Sequence, residues 1–266
     1  MAGSERVDRA GAGVGLSADA AELWGSGEYE EIAQRFAPIH DEIVARLEPG
    51  PGVRWLDVAT GTGEVALRAA RAGADVSGID IAPAMIDAAR AKDAGGSIDF
   101  EVGDAQALPY EDASFDAVSS VFGVIFAPDH RATAGELARV GRGRLGLTTW
   151  RPNPGLGELF ERFEVDPPEG REPFRWGREE YLDELLGAAY DLTIERGTWF
   201  IEGASGEEVW KFWSRSAPPF KAMVAQMNDE TREAFHQAYV EYCESFPAGG
   251  GVAVPREYLL VLGERR

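Results

Sequence analysis

The stretch WLDVATGTGEVAL, residues 55–67, constrains this chain more than any other. A short apolar run ends in Asp57, a turn carries Gly61 and Gly63, and a helix-like run begins at once. Strand, glycine turn and helix in that order place a ligand-holding loop at the tip of a strand. The alternation continues. Residues 75–80, 98–104, 115–124 and 144–150 read as further strands, and 63–72, 83–92 and 130–140 as helices between them. Pro83 opens the second of these helices and Gly73 closes the first. Strands alternating with helices in this way require a mostly parallel sheet covered on both faces, with ligands beyond the C-terminal strand ends.

Three ligands compete for the turn. A triphosphate loop needs G-x-x-x-x-G-K-[ST], but Glu64 follows Gly63. Gly61-x-Gly63-x-x-Ala66 does fit the dinucleotide pattern G-x-G-x-x-[GA], which alone is a weak signal. Its neighbours oppose a pyrophosphate, because Glu64 enters the first helical turn and Asp57 precedes the glycines. Carboxylates there suit a ligand with cationic groups. S-adenosylmethionine has an ammonium, a sulfonium, a ribose diol and an adenine, and no phosphate. Asp80, at the second strand tip, can accept ribose hydroxyls, although an acid there serves a dinucleotide equally well. Asp104 follows the third strand, where an acid can accept from the adenine amino group. Singly, each acid also fits a helix cap, a turn or a solvated charge. Together with the glycine turn, Asp57, Glu64, Asp80 and Asp104 point to S-adenosylmethionine.

WLDVATGTGEVAL, VSGIDIAPAMIDAARA, DFEVGDAQALPYEDASFDAVSSVFGV and GELARV make residues 20–150 resemble the class I S-adenosylmethionine-dependent methyltransferases. The nearest likeness is to the ubiquinone/menaquinone-biosynthesis-like group, which includes actinobacterial natural-product enzymes. The resemblance implies an α/β, Rossmann-like, seven-stranded, mostly parallel sheet with helices on both faces and an antiparallel last strand. It implies that Asp57, Ala59, Thr60, Gly61, Thr62 and Gly63 surround the methionine moiety. Asp80 would bind the ribose, Ile81 would lie beside the adenine with Met85 in the same cofactor set, and Asp104 and Ala105 would bracket the adenine. Val121 and Phe122 would stand near the sulfonium and the acceptor. Trp24 and Tyr29, in WGSGEY, would fold over the cofactor as a lid hinged at Gly25 or Gly27. Two departures stand out. Ala59 occupies a position where the family often has glycine, a methyl that the flanking glycines should tolerate. RVGRGRLGL is shorter than the usual R-x-P-G-G turn before strand five, which leaves the loop at 141–144 open.

Residues 1–19 are small and polar, without the apolar stretch of a signal peptide, and read as a disordered arm. In residues 20–47, Ile32, Phe36, Ile39, Ile43 and Leu47 recur at helical spacing, and Pro38 should kink or break that helix. The core with its lid then covers 20–150. Residues 151–203 read as helices and strand six, 204–250 as a helical acceptor cap, and 251–266 as the final strand. Phe160, Phe163, Trp176, Tyr181, Trp210, Phe212, Trp213, Phe220, Met223 and Met227 either line an apolar acceptor pocket or form the cap's own core. A cap suits a small apolar or aromatic acceptor, in keeping with secondary metabolism.

A net charge of −20 repels phosphate backbones, so nucleic acid and anionic membrane partners are excluded. No apolar run reaches the length of a membrane span, and no metal site is expected. Cys243 is the only cysteine, so no internal disulfide forms, which fits a cytoplasmic protein, monomer or homodimer. If the acceptor is a hydroxyl or amine, a base is needed. Of His40, His130 and His236, His130 is the best placed, just past the tip of strand four. Asp129 and His130 also read as the cap and first turn of the next helix. The expected reaction is methyl transfer. The alternatives are a S-adenosylmethionine-binding protein that promotes another step, such as cyclisation, or merely senses the cofactor, and a nicotinamide-dependent oxidoreductase.

Overall fold

The computed structural model describes residues 14–25, 29–163 and 172–266, with side chains from Ala20 onward. Eight strands form one sheet: β1 (Arg54–Val58), β2 (Asp75–Asp80), β3 (Asp99–Val102), β4 (Phe115–Val121), β5 (Gly141–Trp150), β6 (Tyr190–Gly203), β7 (Pro247–Ala248) and β8 (Gly251–Arg265). Their order is β3-β2-β1-β4-β5-β8-β6, with the two-residue β7 beside β8. β1 to β5 pair in parallel, and β8 enters antiparallel between β5 and β6. The fold is therefore the Rossmann-like sheet implied by the sequence, with its antiparallel last strand, and the two-residue β7 makes eight strands where seven were implied. Central strands are apolar on both faces because helices cover both, so Trp55, Leu56, Val58, Val118, Leu145 and Leu147 are buried.

The helices are α1 (Val14–Gly25), α2 (Tyr29–Arg35), α3 (Ala37–Arg46), α4 (Glu64–Arg71), α5 (Pro83–Lys92), α6 (His130–Val140), α7 (Pro154–Arg162), α8 (Glu179–Leu186), α9 (Gly206–Ser216), α10 (Pro218–Gln226) and α11 (Asp229–Glu244). Pro38 acts as expected. The helical run breaks at Phe36, and the proline falls in the first turn of α3, where its missing N–H is harmless. Asn153, Ser205 and Asn228 each cap a helix through a side-chain oxygen. Among the described residues no helix is long and apolar enough to cross a membrane.

Two details differ from expectation, and a third decides between alternatives left open by the sequence. Residues 14–19, read as part of a disordered arm, belong to α1, while 1–13 lie outside the described residues. The open stretch at 141–144 is no loop: α6 passes directly into β5 at Gly141. A Cβ there would lie 2.6 Å from the Tyr190 hydroxyl and 3.1 Å from the Leu137 carbonyl, so glycine lets the chain turn against the core. The aromatic set of the second half packs mainly on itself. Trp210 stands 5.4 Å from Phe220 and 5.8 Å from Phe235, while Phe163 is 5.4 Å from Phe235. These rings form the core of the cap built by α7 and α9–α11.

β6 and β8 carry the cap, and their contact depends on one glycine. A Cβ at Gly197 would meet ring atoms of Tyr258 at 2.2–2.5 Å. Tyr258 in turn meets Phe122 edge-on at 5.9 Å, at the tip of β4. Gly197→Ala should therefore lower unfolding stability by about 1–3 kcal/mol, the usual cost of overpacking. An unchanged denaturant midpoint would contradict this packing.

Candidate active site

The turn after β1 runs through three left-handed residues, Ala59 (φ 53°), Gly61 (φ 54°) and Gly63 (φ 84°). Two backbone bonds fix it: the Thr60 amide donates to the Ile79 carbonyl at 3.0 Å, and the Gly63 amide to the Thr60 carbonyl at 2.9 Å. At Gly63 a Cβ would come within 3.0 Å of the Phe100 ring. Ala59 is the residue for which the left-handed region is costly. Its methyl fits because position 123 has none: a Cβ at Gly123 would lie 2.5 Å from that of Ala59. The tolerance expected of the flanking glycines thus also needs a glycine across the cleft.

Two buried carboxylates stand at the neighbouring tips of β1 and β2. Asp57 accepts from the Thr60 hydroxyl at 2.6 Å and the Ser119 hydroxyl at 2.7 Å, and the Trp55 indole donates to the same Ser119 oxygen at 2.8 Å. Burial pushes the Asp57 carboxyl up to about 6, against the pull of its hydrogen bonds. Asp80 accepts from the Gly61 amide at 2.8 Å and the Ala82 amide at 2.9 Å. Burial raises its pKa also, and the amides at 61, 81 and 82 oppose the rise. Glu64 is a different case. Lys92 of α5 bonds it at 2.9 Å and Arg68 at 2.6 Å, so its charge is compensated.

A cleft of about 750 Å³, its open mouth included, runs across the tips of β2, β3 and β4. Tyr29, Ala59, Gly61, Asp80, Ile81, Met85, Asp104, Ala105, Phe122 and Trp24 line it. Asp104 accepts from the amide and side chain of Gln106, whose own carbonyl takes the Asp129 amide at 2.9 Å. A second, polar hollow continues from it at Tyr29, Ala59 and Gly61, lined further by Asp57, Thr60, Thr62, Glu64, Val121 and His40. Gly63 borders the turn but lines neither hollow.

The expected lid residues, Trp24 and Tyr29, line this cleft. The Tyr29 ring lies 3.4 Å from where a Gly61 Cβ would stand, and Trp24 packs edge-on at 4.9 Å against Phe126 and 5.9 Å against Tyr29. Burial, with Asp80 and Asp57 nearby, pushes the Tyr29 hydroxyl well above its usual range. Lys92 also bonds Glu30, tying α2 to α4 and α5. Gly25 ends α1, with its Cβ position 3.5 Å from Ala84, while Gly27 lies outside the described residues.

Of the three histidines, His40 rather than the expected His130 lines a hollow. His130 lines neither hollow. It is the first residue of α6, buried against Trp176 at 5.5 Å, with Nδ1 3.1 Å from the Tyr181 hydroxyl. Burial and Arg175 lower its pKa. Asp129 caps the same helix by accepting from the Ala132 amide at 2.9 Å, so the structural alternative describes this pair. His236 bonds Glu207 at 2.7 Å in the cap. His40, which no motif marked, is the histidine at the site. It is 5 % exposed, its Nδ1 is buried without a partner, and burial beside Arg68 pushes its pKa down to about 4. One signal was available: His40 follows Phe36 by four residues, on the apolar stripe of its helix. Among the described residues no group of His, Cys, Asp and Glu could hold a metal ion.

A methyltransferase-domain family matches residues 56–143, the span from β1 to the start of β5. An uncharacterized protein of Mycobacterium tuberculosis is 33% identical over 264 residues, covering 94% of this chain and 96% of the relative. Demethylmenaquinone methyltransferase of Thermus thermophilus is 37% identical over 140 residues, covering 44% of this chain and 64% of the relative. Among solved structures, the YcgJ protein of Bacillus subtilis superposes with a TM-score of 0.62 at 22% identity, over 85% of this chain and 97% of the other. Magnesium protoporphyrin IX methyltransferase of Synechocystis, solved with bound S-adenosylhomocysteine, gives 0.56 at 20% identity, over 69% and 92%.

The two perturbed groups of the polar hollow have opposite pH signatures. Folded Asp57 titrates near 6 rather than 3.8, so its ionisation costs stability above pH 6, and that cost disappears below about pH 4. Folded His40 titrates near 4 rather than 6.5, so stability is lost as pH falls through that window. In cofactor-free protein the two oppose each other. Asp57→Asn should gain on wild type by about 3 kcal/mol between pH 4 and pH 8, from roughly 1.4 kcal/mol per unit. His40→Gln should gain in the other direction, toward low pH. Unfolding curves that shift in parallel with pH for all three proteins would contradict these environments.

Proposed function

This chain belongs to the class I S-adenosylmethionine-dependent methyltransferases, in one family with its mycobacterial relatives along nearly its whole length, and we propose that it methylates a small apolar or aromatic molecule. The observation that carries the reading is the continuity of the two hollows, which meet at Tyr29, Ala59 and Gly61 with Asp80 on one side and Asp57 on the other. S-adenosylmethionine is the cofactor, and the residues present fit it. The larger hollow is lined by Ile81, Met85 and Ala105, apolar groups suited to an adenine, with Asp104 at its rim. The polar hollow, with its buried carboxylate and uncharged His40, suits an amino-acid end. Two buried acids so close together disfavour a pyrophosphate.

When bound, S-adenosylmethionine supplies a methyl group activated by the adjacent sulfonium. The residues of the chain then have two tasks, alignment and exclusion of water. Asp80, held by the 61 and 82 amides, would present its remaining lone pairs to the ribose hydroxyls. Trp24 and Tyr29, which line the cleft, would close its mouth, and Val121 and Phe122 would form the wall toward the acceptor. His130 lines neither hollow and its Nδ1 pairs with the Tyr181 hydroxyl, so the proposed mechanism rests on alignment and assigns it no proton.

Asp80→Asn should weaken S-adenosylhomocysteine binding by about 1–3 kcal/mol, since the charge-assisted bonds to the ribose are lost. Asn retains an acceptor for one of the two amides, so the fold should survive, as read by circular dichroism. Unchanged affinity would put the ribose elsewhere. Mass spectrometry on mixtures with S-adenosylmethionine and aromatic hydroxyl or amine compounds should show S-adenosylhomocysteine formed together with a methylated product. Cofactor turnover with no methylated product would count against methyl transfer.

A further inference from the structure

The polar hollow beside the glycine turn is lined by two acids, Asp57 and Glu64, and the donors around it are largely committed. The Thr60 amide goes to the Ile79 carbonyl, the Gly61 amide to Asp80, and the Gly63 amide to the Thr60 carbonyl. The Thr60 hydroxyl goes to Asp57. Lys92 is shared between Glu30 and Glu64, and Arg68 between Glu64 and Asp41. An amino-acid end placed here has Asp57 for its ammonium. Its carboxylate needs a donor that none of these groups supplies.

His40 can supply it. Among the described residues that line the hollow, it is the one whose side chain carries nitrogen. α3 brings it in on a buried stripe with Ile39 and Ile43, and its ring meets Phe36 edge-on at 6.3 Å. Nδ1 is sealed in the protein without a partner, whereas His130 bonds Tyr181 and His236 bonds Glu207. A buried N–H without an acceptor is rarer than a lone pair left alone, so the proton of the neutral ring belongs on Nε2. Burial, with Arg68 nearby, keeps the ring uncharged at pH 7 by pushing its pKa down to about 4. The Thr62 hydroxyl, in the same hollow, is also buried without a hydrogen bond, although Glu30 lies near it.

We propose that His40 is the residue that reads the α-carboxylate of the cofactor, donating to it from Nε2 while the ammonium faces Asp57. A neutral donor suits this place. A fixed cation here would be drawn to Asp57 and compete with the ammonium for it. An uncharged N–H leaves Asp57 free and still makes a charge-assisted bond to a carboxylate. This inference rests on S-adenosylmethionine being the cofactor. It adds that the site demands the whole amino-acid tail and not the adenosyl group and ammonium alone.

The test uses the full chain, titrated calorimetrically with S-adenosylhomocysteine and with its decarboxylated analogue, which keeps the ammonium and lacks only the carboxylate. Wild type should bind S-adenosylhomocysteine more tightly by about tenfold or more, as expected of one charge-assisted hydrogen bond. His40→Leu, which has no N–H, should weaken S-adenosylhomocysteine by a similar factor, leave the analogue unchanged and so erase the preference. His40→Gln keeps a donor and should keep part of it. In nitrogen-edited spectra of wild type, the His40 ring signals should move with S-adenosylhomocysteine and stay near their free positions with the analogue. Equal binding of the two ligands by wild type would overturn the proposal, as would a preference that survives His40→Leu. An equal loss for both ligands in His40→Leu would overturn it too, and would make His40 a packing residue against Phe36. If His40→Leu fails to fold, the wild-type preference and the ring shifts decide, and the absence of either is fatal to the proposal. If neither ligand binds wild type, the cofactor reading itself falls, and this inference with it.

Discussion

The carboxylate of Asp80 holds the site together. Parallel pairing of β1 with β2 sets Val58 beside Ile79, so Asp80 emerges level with the first residue of the glycine turn. From there it reaches the Gly61 amide, while its other oxygen takes the Ala82 amide at the start of α5. A buried carboxylate is costly unless it is hydrogen-bonded, and these amides supply the compensation. The left-handed residues at 59, 61 and 63 exist to present such amides. Everything else at the cleft is placed against this turn: Tyr29 covers Gly61, Phe100 closes on Gly63, and Gly123 leaves room for Ala59.

The charges around the turn divide into two kinds. Glu64 is matched by Lys92 and Arg68, so it repels an anion less than its position in the sequence suggests. Asp57 and Asp80 have no cationic partner among the described residues, and only hydroxyls and amides face them. Selection for a ligand with positive charge therefore rests on these two acids. The Lys92 bridge has another use, since it joins α2 to the core through Glu30.

Much of this was legible in the sequence, for physical reasons. α5 and α6 begin and end where Pro83, Asp129 and the apolar spacing place them, because helix ends obey local rules. The strand tips were readable because each ends in an acid or a glycine that follows a buried apolar run. Histidine roles were not readable. His130 sits near the acceptor side in chain order, but α6 turns its ring toward Tyr181, whereas α3 lays His40 into the cleft from a distant part of the chain. The aromatic residues of the second half read as pocket or core, and only packing distinguishes Trp210, buried among Phe220 and Phe235, from Trp199 on the sheet face.

The central claim is that this turn accepts a cationic adenosyl cofactor and rejects a pyrophosphate. Isothermal titration of the purified chain with S-adenosylhomocysteine and, separately, with NAD tests it most directly. The structure predicts saturable binding of S-adenosylhomocysteine and no heat from NAD. Binding of NAD with none of S-adenosylhomocysteine would contradict it.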